Sequence, residues 1–299
     1  FGNPRDPKSL FFTQKTGFPK FWGEKPKSYM KQIKMNQHYA DLAASIQKVT
    51  EEVILTMCRF VAKETNLTNL CMAGGVALNS VANGKIVKLT PFKNLWIQPA
   101  AGDSGGALGA ALYLYHNILN YKKRYQLEHA FWGKDYSESY IKKFLETNRI
   151  LHKEYKSNSQ LIKDVAKYLV EQKVIGWFEG RFEWGPRALG HRSILADPRS
   201  ARMKDIVNSK IKFREPYRPF APVVLQEKAR QYFDIDDPKS GPARFMITVI
   251  PTKKDKIKKI PSVSHLGTSR IQTVDLKTYP RYYQLIKQFG KLTGVYVLM

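Results

Sequence analysis

Apolar residues recur every three to four positions between Tyr39 and Thr65, and this pattern predicts the first long element of the chain. The recurring positions are Leu42, Ile46, Val49, Val53, Met57 and Phe60. This spacing places them on one face of an α-helix, so the segment predicts an amphipathic helix that ends near Asn66. Residues 1–38 lack such a period, and their Phe, Pro, Lys and Gly content predicts loops with short elements.

A short apolar run that leads through glycines into a helical pattern occurs twice in the next part of the chain. The first run is Asn69–Ala73, which we expect to be a buried strand, and Gly74-Gly75 follows it. The second run is Leu95–Ile97, followed by a glycine-containing loop and a helix through Leu119. Strand, glycine loop and helix in succession predict an α/β domain whose loops bind ligands at the strand ends.

The second half of the chain has a different pattern. Helical periods at Tyr140–Leu145 and Leu161–Gln172 lead to the apolar strand Lys173–Phe178. Five prolines then interrupt the sequence up to Pro222, and because proline ends regular elements, they predict short pieces in an α+β arrangement. We therefore expect two domains, and they cover residues 1–128 and residues 129–299.

Charge narrows the class of partner. The 299 residues carry 50 Lys and Arg against 25 Asp and Glu, and the formal net charge of +25 favours anionic partners. The basic residues are spread along the chain rather than gathered in one stripe with interleaved aromatic residues, which argues against nucleic acid. The basic run Lys253–Lys259 is expected to be a solvated loop.

The cysteines and the apolar runs indicate the compartment. Cys58 and Cys71 are too few for a disulfide framework, which favours a reducing compartment, and we expect both in the core. The longest apolar run, around Ala107–Leu114, is far shorter than the ~20 residues that span a bilayer. No signal segment opens the chain. We expect a cytoplasmic protein without membrane contact and, because the chain lacks an initiator Met and stops within a strand-like pattern, a fragment at both ends.

The segment Gly180–Leu195, here called the arginine loop, carries the strongest functional pattern. It reads GRFEWGPRALGHRSIL and holds three arginines, one glutamate, one serine and three glycines directly after a predicted strand. Arginine matches phosphate or carboxylate oxygens bidentately, and glycine lets the backbone approach a ligand. We interpret the loop as an anion-binding site. The alternative is a surface turn whose arginines pair with neighbouring carboxylates.

A second cationic segment follows at residues 208–222. It reads NSKIKFREPYRPFAP, so proline and aromatic residues stiffen the chain around its basic side chains. A pre-organised site loses less free energy on binding than a flexible one. The two cationic segments together therefore predict a polyphosphate site, and the alternative is an interface or a set of Arg–Glu pairs.

Three further motifs have two interpretations each. Ala73–Asn79 (AGGVALN) either presents backbone N–H groups to an anion or forms a tight turn. Gly102–Gly109 (GDSGGALG) places Asp103 at a strand end, where it either binds a metal or acts as a base, or else caps the following helix. Gly267–Val274 (GTSRIQTV) either completes a nucleotide or acyl-group site ahead of a tyrosine-rich helix or has no role in binding.

In this order, the motifs resemble the O-carbamoyltransferases of the NodU/CmcH type. The resemblance rests on AGGVALN, GDSGGALGAAL, GWFEGRFEWGPRALGHRSILADPR, NSKIKFREPYRPFAPV and GTSRIQTV, and extends from about Tyr39 to Met299. It implies the C-terminal half of an actin-like (ASKHA, Kae1-like) ATPase domain followed by a truncated α+β YrdC-like domain. It also implies that carbamoyl phosphate and ATP give carbamoyl adenylate, whose carbamoyl group passes to an acceptor hydroxyl.

The resemblance assigns roles to single residues. The residues implied to hold the carbamoyl phosphate and the ATP phosphates during catalysis are Arg187, Arg192, Ser193, Lys212 and Arg214. The residues implied to bind the nucleotide are Gly74, Gly75, Asn79, Arg181, Arg218, Thr268 and Arg270. Asp103 is implied to be a ligand of a divalent metal ion, Fe or Mg.

Three departures from the family pattern limit what this chain does alone. The paired metal-binding histidines of the family belong to an N-terminal half that this chain does not contain. Leu266 stands where relatives usually have Asp, and the chain ends before a segment of the Asn-Thr-Ser-Phe-Asn type. We therefore expect the isolated polypeptide to bind nucleotide weakly at most and not to turn over.

Two other functions stay open at this point. One is an enzyme that carbamoylates or threonylcarbamoylates tRNA, which the net charge of +25 would suit. The other is a non-catalytic anion-binding or scaffolding fragment. For the carbamoyltransferase reading, the expected partner is a small-molecule hydroxyl acceptor such as a sugar-containing compound, and a homodimer is left open.

Overall fold

The computed structural model describes residues 37–299, which fall into two compact units divided in the sequence between Met57 and Cys58. Helix α1 spans Gln37–Thr65 and confirms the predicted amphipathic helix. It ends where Asn66 takes a left-handed φ of 54°, a conformation that asparagine tolerates at helix ends. The loops predicted for residues 1–36 lie outside the described residues.

The repeated unit of strand, glycine loop and helix is confirmed. Strand β1 (Asn69–Met72) pairs in parallel with β2 (Asn94–Ile97), so the carboxyl ends of both strands lie at one edge. A 3₁₀ turn and helix α2 (Ser80–Leu89) connect them. Helix α3 (Gly105–Tyr113) follows β2 and continues into a π-helical turn. This parallel pair therefore brings the two glycine motifs together.

Two predictions about burial in this region are corrected. Residues of β1 alternate between exposed and half-buried, although the strand was expected to be buried. Cys58 is buried as expected, but Cys71 on β1 is exposed. The physical reason is that, among the described residues, β1 pairs with β2 alone in a two-stranded sheet, which leaves much of the strand accessible to solvent.

The arginine loop is the connection of a β-hairpin. The predicted helices before it are α4 (Glu138–Thr147) and α5 (Asn158–Val170). Strand β3 (Ile175–Phe178) then pairs antiparallel with β4 (Arg192–Leu195), with Phe178 opposite Arg192. The hairpin therefore fixes both ends of the loop.

The remainder of the chain consists mostly of short helices and strands, as predicted from the positions of the prolines, and α10 is the longest of these elements. The three-stranded sheet has the order β8–β5–β9, in which β5 is parallel to β8 and antiparallel to β9, and β6 pairs antiparallel with β7. The elements are α6 (Met203–Val207), β5 (Val223–Leu225), α7 (Ala229–Tyr232), α8 (Gly241–Arg244), β6 (Val249–Pro251), α9 (Lys254–Ile257), β7 (Thr268–Arg270), β8 (Gln272–Val274), α10 (Pro280–Thr293) and β9 (Val297–Leu298). Helix α9 corrects the expectation of a loop over Lys253–Lys259, because four of these residues form one helical turn.

A hydrophobic core lies between α5, α10 and the three-stranded sheet. Leu169 from α5, Phe289 from α10 and Val224 from β5 are fully buried within it. Every residue of β5 and β8 is buried, so these strands form the interior of a mixed α/β fold. Within residues 37–299, no helix combines the length and the apolar character that crossing a membrane requires.

Gly190, at the end of the arginine loop, has no room for a side chain. Its φ is 108°, and a Cβ atom there would lie 2.5 Å from Cδ1 of Tyr282, which is buried in α10. We expect Gly190→Ala to lower the free energy of unfolding by roughly 2–4 kcal/mol, because it adds both a steric overlap and backbone strain. Urea denaturation measures the change. Gly176→Ala on β3 is the matched control, since a Cβ there meets nothing within 4 Å; equal denaturation midpoints for both variants would contradict the expectation.

Candidate functional site

The arginine loop is organised around Glu183. Its Oε1 atom accepts hydrogen bonds from the backbone N–H groups of Leu189 at 3.0 Å, His191 at 2.7 Å and Arg192 at 3.0 Å. Glu183 is not among the functional residues predicted from the sequence. The signal that could have found it is a single carboxylate placed among three arginines and just before a Gly-Pro turn.

The loop brings the two glycine motifs into contact with the second half of the chain. Arg187 donates from Nη2 to the carbonyl oxygen of Leu78 in the AGGVALN motif at 3.0 Å. Gly185 has a φ of 128°, and a Cβ atom there would lie 2.9 Å from the carbonyl oxygen of Pro99 just before the GDSGGALG motif. Gly74 donates its N–H to Ala101 at 2.7 Å. Three of the predicted motifs therefore meet at one place.

Four arginines form what we call the cationic cluster: Arg187, Arg214, Arg218 and Arg270. Burial lowers the pKa of Arg187 to about 10, and the charge of Arg270 acts in the same direction. Burial, and then the charge of Arg214, lowers the pKa of Arg270. Burial, and then the charge of Arg218, lowers the pKa of Arg214 against the opposing effect of Glu215. The charged forms of Arg187, Arg270 and Arg214 are therefore each destabilised by another member of the cluster.

Carboxylates compensate only one side of the cationic cluster. Arg218 donates from Nε to the buried Glu215 at 2.6 Å, so the Arg–Glu interpretation is correct for this residue. Arg187 and Arg270 take part in none of the ion pairs recorded for the described residues. Their Nε atoms are buried and have no hydrogen-bond partner there. The cluster thus keeps half-buried positive charge at Arg187 and Arg270 that a bound anion would stabilise.

Arg214 is held in place by its surroundings. Its Nε donates to Oδ1 of the buried Asn208 at 2.7 Å, and its guanidinium group lies 4.6 Å from the ring centroid of Phe220. Both partners belong to the proline-rich and aromatic segment 208–222. The stiffness inferred from the sequence of this segment is therefore visible in the packing of one of its cations.

Arg192 and Ser193 belong to the frame of the hairpin. The guanidinium group of Arg192 lies between the rings of Phe178 and Phe182, at 3.6 and 4.0 Å from their centroids. Its Nη atoms donate to the backbone carbonyls of residues 179, 180 and 191. Ser193 accepts from the N–H of Gly190 at 2.9 Å. The structure therefore places these two residues where they support the loop, and their role in catalysis stays a prediction.

The other predicted binding residues are dispersed. Asn79 accepts from the N–H of Ala82 at 3.2 Å and is the N-cap of α2. Thr268 donates its hydroxyl to the carbonyl of His265 at 2.9 Å, and Lys212 is exposed at the end of a π-helical turn. Arg181 lines a cleft of about 670 Å³ whose other lining residues include His129, Phe131, Trp132 and His191.

A larger cleft, of about 990 Å³, is lined by both glycine motifs. Gly74, Gly102 and Asp103 lie along it, and Asp103 is exposed. The interpretation of Asp103 as a helix cap is wrong, because Ser104 precedes α3 and no side chain caps that helix. Within residues 37–299, no three His, Cys, Asp or Glu residues are close enough together to hold a metal ion. Asp103 therefore does not belong to a set of three such ligands in this part of the chain, and the described residues do not fit a complete metal site.

Comparison with known proteins places these observations in a family. A family model described as the carbamoyltransferase C-terminus matches residues 166–299, and one described as the carbamoyltransferase N-terminus matches residues 14–112. An uncharacterized Synechocystis protein, sll1178, is 42% identical, over 89% of this chain and 47% of the relative. The nodulation protein NolNO of Sinorhizobium fredii is 38% identical, over 90% of this chain and 40% of the relative.

Nodulation protein U of the same organism is 35% identical, over 77% of this chain and 38% of the relative. The chain thus spans less than half the length of each of these relatives. Both matched family models overlap the motifs described above, since the N-terminal one includes the glycine motifs and the C-terminal one includes the arginine loop. The chain therefore belongs to the carbamoyltransferase family and contains parts of both its N-terminal and its C-terminal regions.

Proposed function

We propose that this chain contributes the phosphate-handling part of an ATP-dependent O-carbamoyltransferase. The observation that carries the proposal is that Arg187 and Arg270 are half-buried, keep buried Nε atoms without a partner and have no carboxylate partner among residues 37–299. A polyanion such as the triphosphate of ATP would supply the missing negative charge. Carbamoyl phosphate, the co-substrate that the family implies, is also an anion that such a cluster would attract.

The proposed reaction has three steps. Water converts carbamoyl phosphate into carbamate and inorganic phosphate. A carbamate oxygen then attacks the α-phosphorus of ATP, which forms carbamoyl adenylate and releases pyrophosphate. Finally, an acceptor hydroxyl attacks the carbamoyl carbon, loses its proton and releases AMP. The second step builds negative charge on the α-phosphate and on the leaving pyrophosphate, and fixed cations stabilise such charge.

The arrangement of the chain supports a division of labour in this proposal. Residues up to about 128 would be the C-terminal half of an actin-like ATPase domain, and residues 129–299 would be a YrdC-like domain. The parallel pair of β1 and β2, with glycine motifs at its carboxyl edge, suits the first assignment. The cationic cluster would hold the phosphates of the adenylate-forming step. The acceptor is proposed to be a small molecule with a sugar hydroxyl.

Modification of tRNA is the second candidate, and the net charge of +25 favours it. Binding to the phosphates of tRNA would release counterions, so the affinity would fall steeply as salt concentration rises. Measuring tRNA affinity at several salt concentrations therefore separates the two candidates. The absence of any salt-dependent tRNA binding would leave the small-molecule transferase.

Arg187→Ala tests the proposed reaction. We expect the intact gene product to release pyrophosphate from ATP only when carbamoyl phosphate is present, and Arg187→Ala to slow this release by roughly 100-fold or more. A coupled pyrophosphate assay gives the rate. Arg202→Ala is the matched control, because Arg202 is exposed and outside the cationic cluster. Equal rates for Arg187→Ala and the control would contradict the assignment, and a folded wild-type protein that releases no pyrophosphate would contradict the reaction itself.

Arg270→Met tests the electrostatic argument without any assay of activity. Because the Arg270 charge is buried beside other cations, we expect its removal to raise the free energy of unfolding of the ligand-free protein by roughly 0.5–2 kcal/mol. Inorganic pyrophosphate should raise the thermal midpoint of the wild type, since it binds the folded state, and should protect Arg270→Met less. Differential scanning fluorimetry measures both effects, with Arg202→Met as the control. Lower stability of Arg270→Met together with unchanged protection by pyrophosphate would show that Arg270 is a structural cation.

A further inference from the structure

Glu183 closes the arginine loop on itself. One carboxylate oxygen of Glu183 accepts hydrogen bonds from three backbone N–H groups on the returning side of the loop, those of Leu189, His191 and Arg192. Hydrogen bonds to an ionised acceptor are stronger than those between neutral groups. Glu183 therefore joins the outgoing side of the loop to the returning side, and residues 184–188 form a closed tip between them.

The tip carries Arg187, and it is fixed at several points. At its base, Leu189 donates its N–H to Glu183, and its carbonyl accepts from Nε2 of the buried Gln272 at 2.8 Å. On the outer side, Arg187 donates to the carbonyl of Leu78. Gly185 lies against the carbonyl of Pro99 and has the positive φ that this contact requires. Arg187 thus belongs to a tip that Glu183 closes at its base and that further contacts hold on its outer side.

Other roles for Glu183 fit the geometry less well. The charge of Glu183 favours the charged form of Arg192, but the two side chains form no ion pair among the described residues, because the Nη groups of Arg192 donate to backbone carbonyls and two phenylalanine rings cover its guanidinium plane. A role as proton acceptor in the reaction would fall to Oε2 alone, because Oε1 already accepts three N–H groups that hold the carboxylate at the base of the loop. The recorded hydrogen bonds of the Glu183 side chain are therefore all made to the loop itself.

We propose that Glu183 is a positioning residue, which acts on the reaction through Arg187 by holding the arginine loop closed. That Glu183 holds the loop closed does not depend on the reaction, whereas the effect of this closure on the reaction rate rests on the proposed function. Loop closure and reaction rate therefore need separate measurements. Glu183→Ala removes the acceptor, and Glu183→Gln keeps an acceptor oxygen but removes its charge. Glu179→Gln is the control, because it removes the charge of a nearby carboxylate whose partners are Trp177 and Arg281 rather than the loop.

Limited trypsin digestion measures the closure of the loop in the intact gene product. We expect cleavage after Arg187 to be roughly tenfold faster or more in Glu183→Ala, intermediate in Glu183→Gln and unchanged in Glu179→Gln, since cleavage requires the tip to open. Cleavage after Arg199, whose guanidinium binds the fully buried Asp197, serves as the reference for global unfolding. Cleavage at Arg187 that matches the wild type, or that rises only in parallel with cleavage at Arg199, would overturn the proposal.

Pyrophosphate release measures the consequence of closure. We expect Glu183→Ala to lower kcat/KM substantially in the wild-type background but to cause little further loss in Arg187→Ala, because the two residues act as one unit. Glu183→Gln should restore part of the rate. Independent, additive losses would show that Glu183 does not act through Arg187. If the wild type releases no pyrophosphate, the proposed function fails, and the digestion result still decides whether Glu183 closes the loop.

Discussion

The partial burial of two positive charges, on Arg187 and Arg270, without matching carboxylates is the constraint on which the site depends. Burying a cation is costly unless it is paired, and in this chain the cost falls on Arg187 and Arg270. Such an arrangement persists only when the surrounding fold holds it in place. The fold supplies that support through a hairpin whose two strands fix the ends of the arginine loop and through a core in which α5 and α10 pack together.

The cations of the arginine loop divide into two groups because of their surroundings. The Nη groups of Arg192 donate to backbone carbonyls and its guanidinium group lies between two phenylalanine rings, so Arg192 is part of the hairpin. Both arginines keep a buried Nε donor without a partner, but the Nη groups of Arg192 make three hydrogen bonds, whereas Arg187 makes one, to Leu78. The two side chains are chemically identical and five positions apart. Their different environments nevertheless give one a structural assignment and make the other the better candidate for ligand binding.

The sequence predicted the elements well and the contacts between motifs poorly. The period of α1, the repeated strand and glycine loop, and the proline-broken second half are local patterns, and local patterns are visible in a linear sequence. The exposure of Cys71 was missed because burial depends on which strands lie beside β1. The hydrogen bonds of Glu183 were missed for a related reason: an acidic residue among arginines suggests ion pairs, and only the folded loop shows its carboxylate turned toward backbone amides. Residue roles in catalysis stay predictions, since they depend on ligand positions.

The overall charge and the charge of the site are separate properties of this chain. The net charge of +25 comes from lysines and arginines spread along the sequence, and many of them are exposed, where water screens their effect. The attraction of the cationic cluster for an anion comes instead from its partial burial, because the low polarity around Arg187 and Arg270 increases the energy of each unpaired charge. A long-range field of one sign speeds the approach of any anion, whereas a few buried and fixed guanidinium groups select for an anion of matching size and shape. Discrimination among anionic ligands is therefore expected to reside in the closed arginine loop rather than in the total charge of the protein.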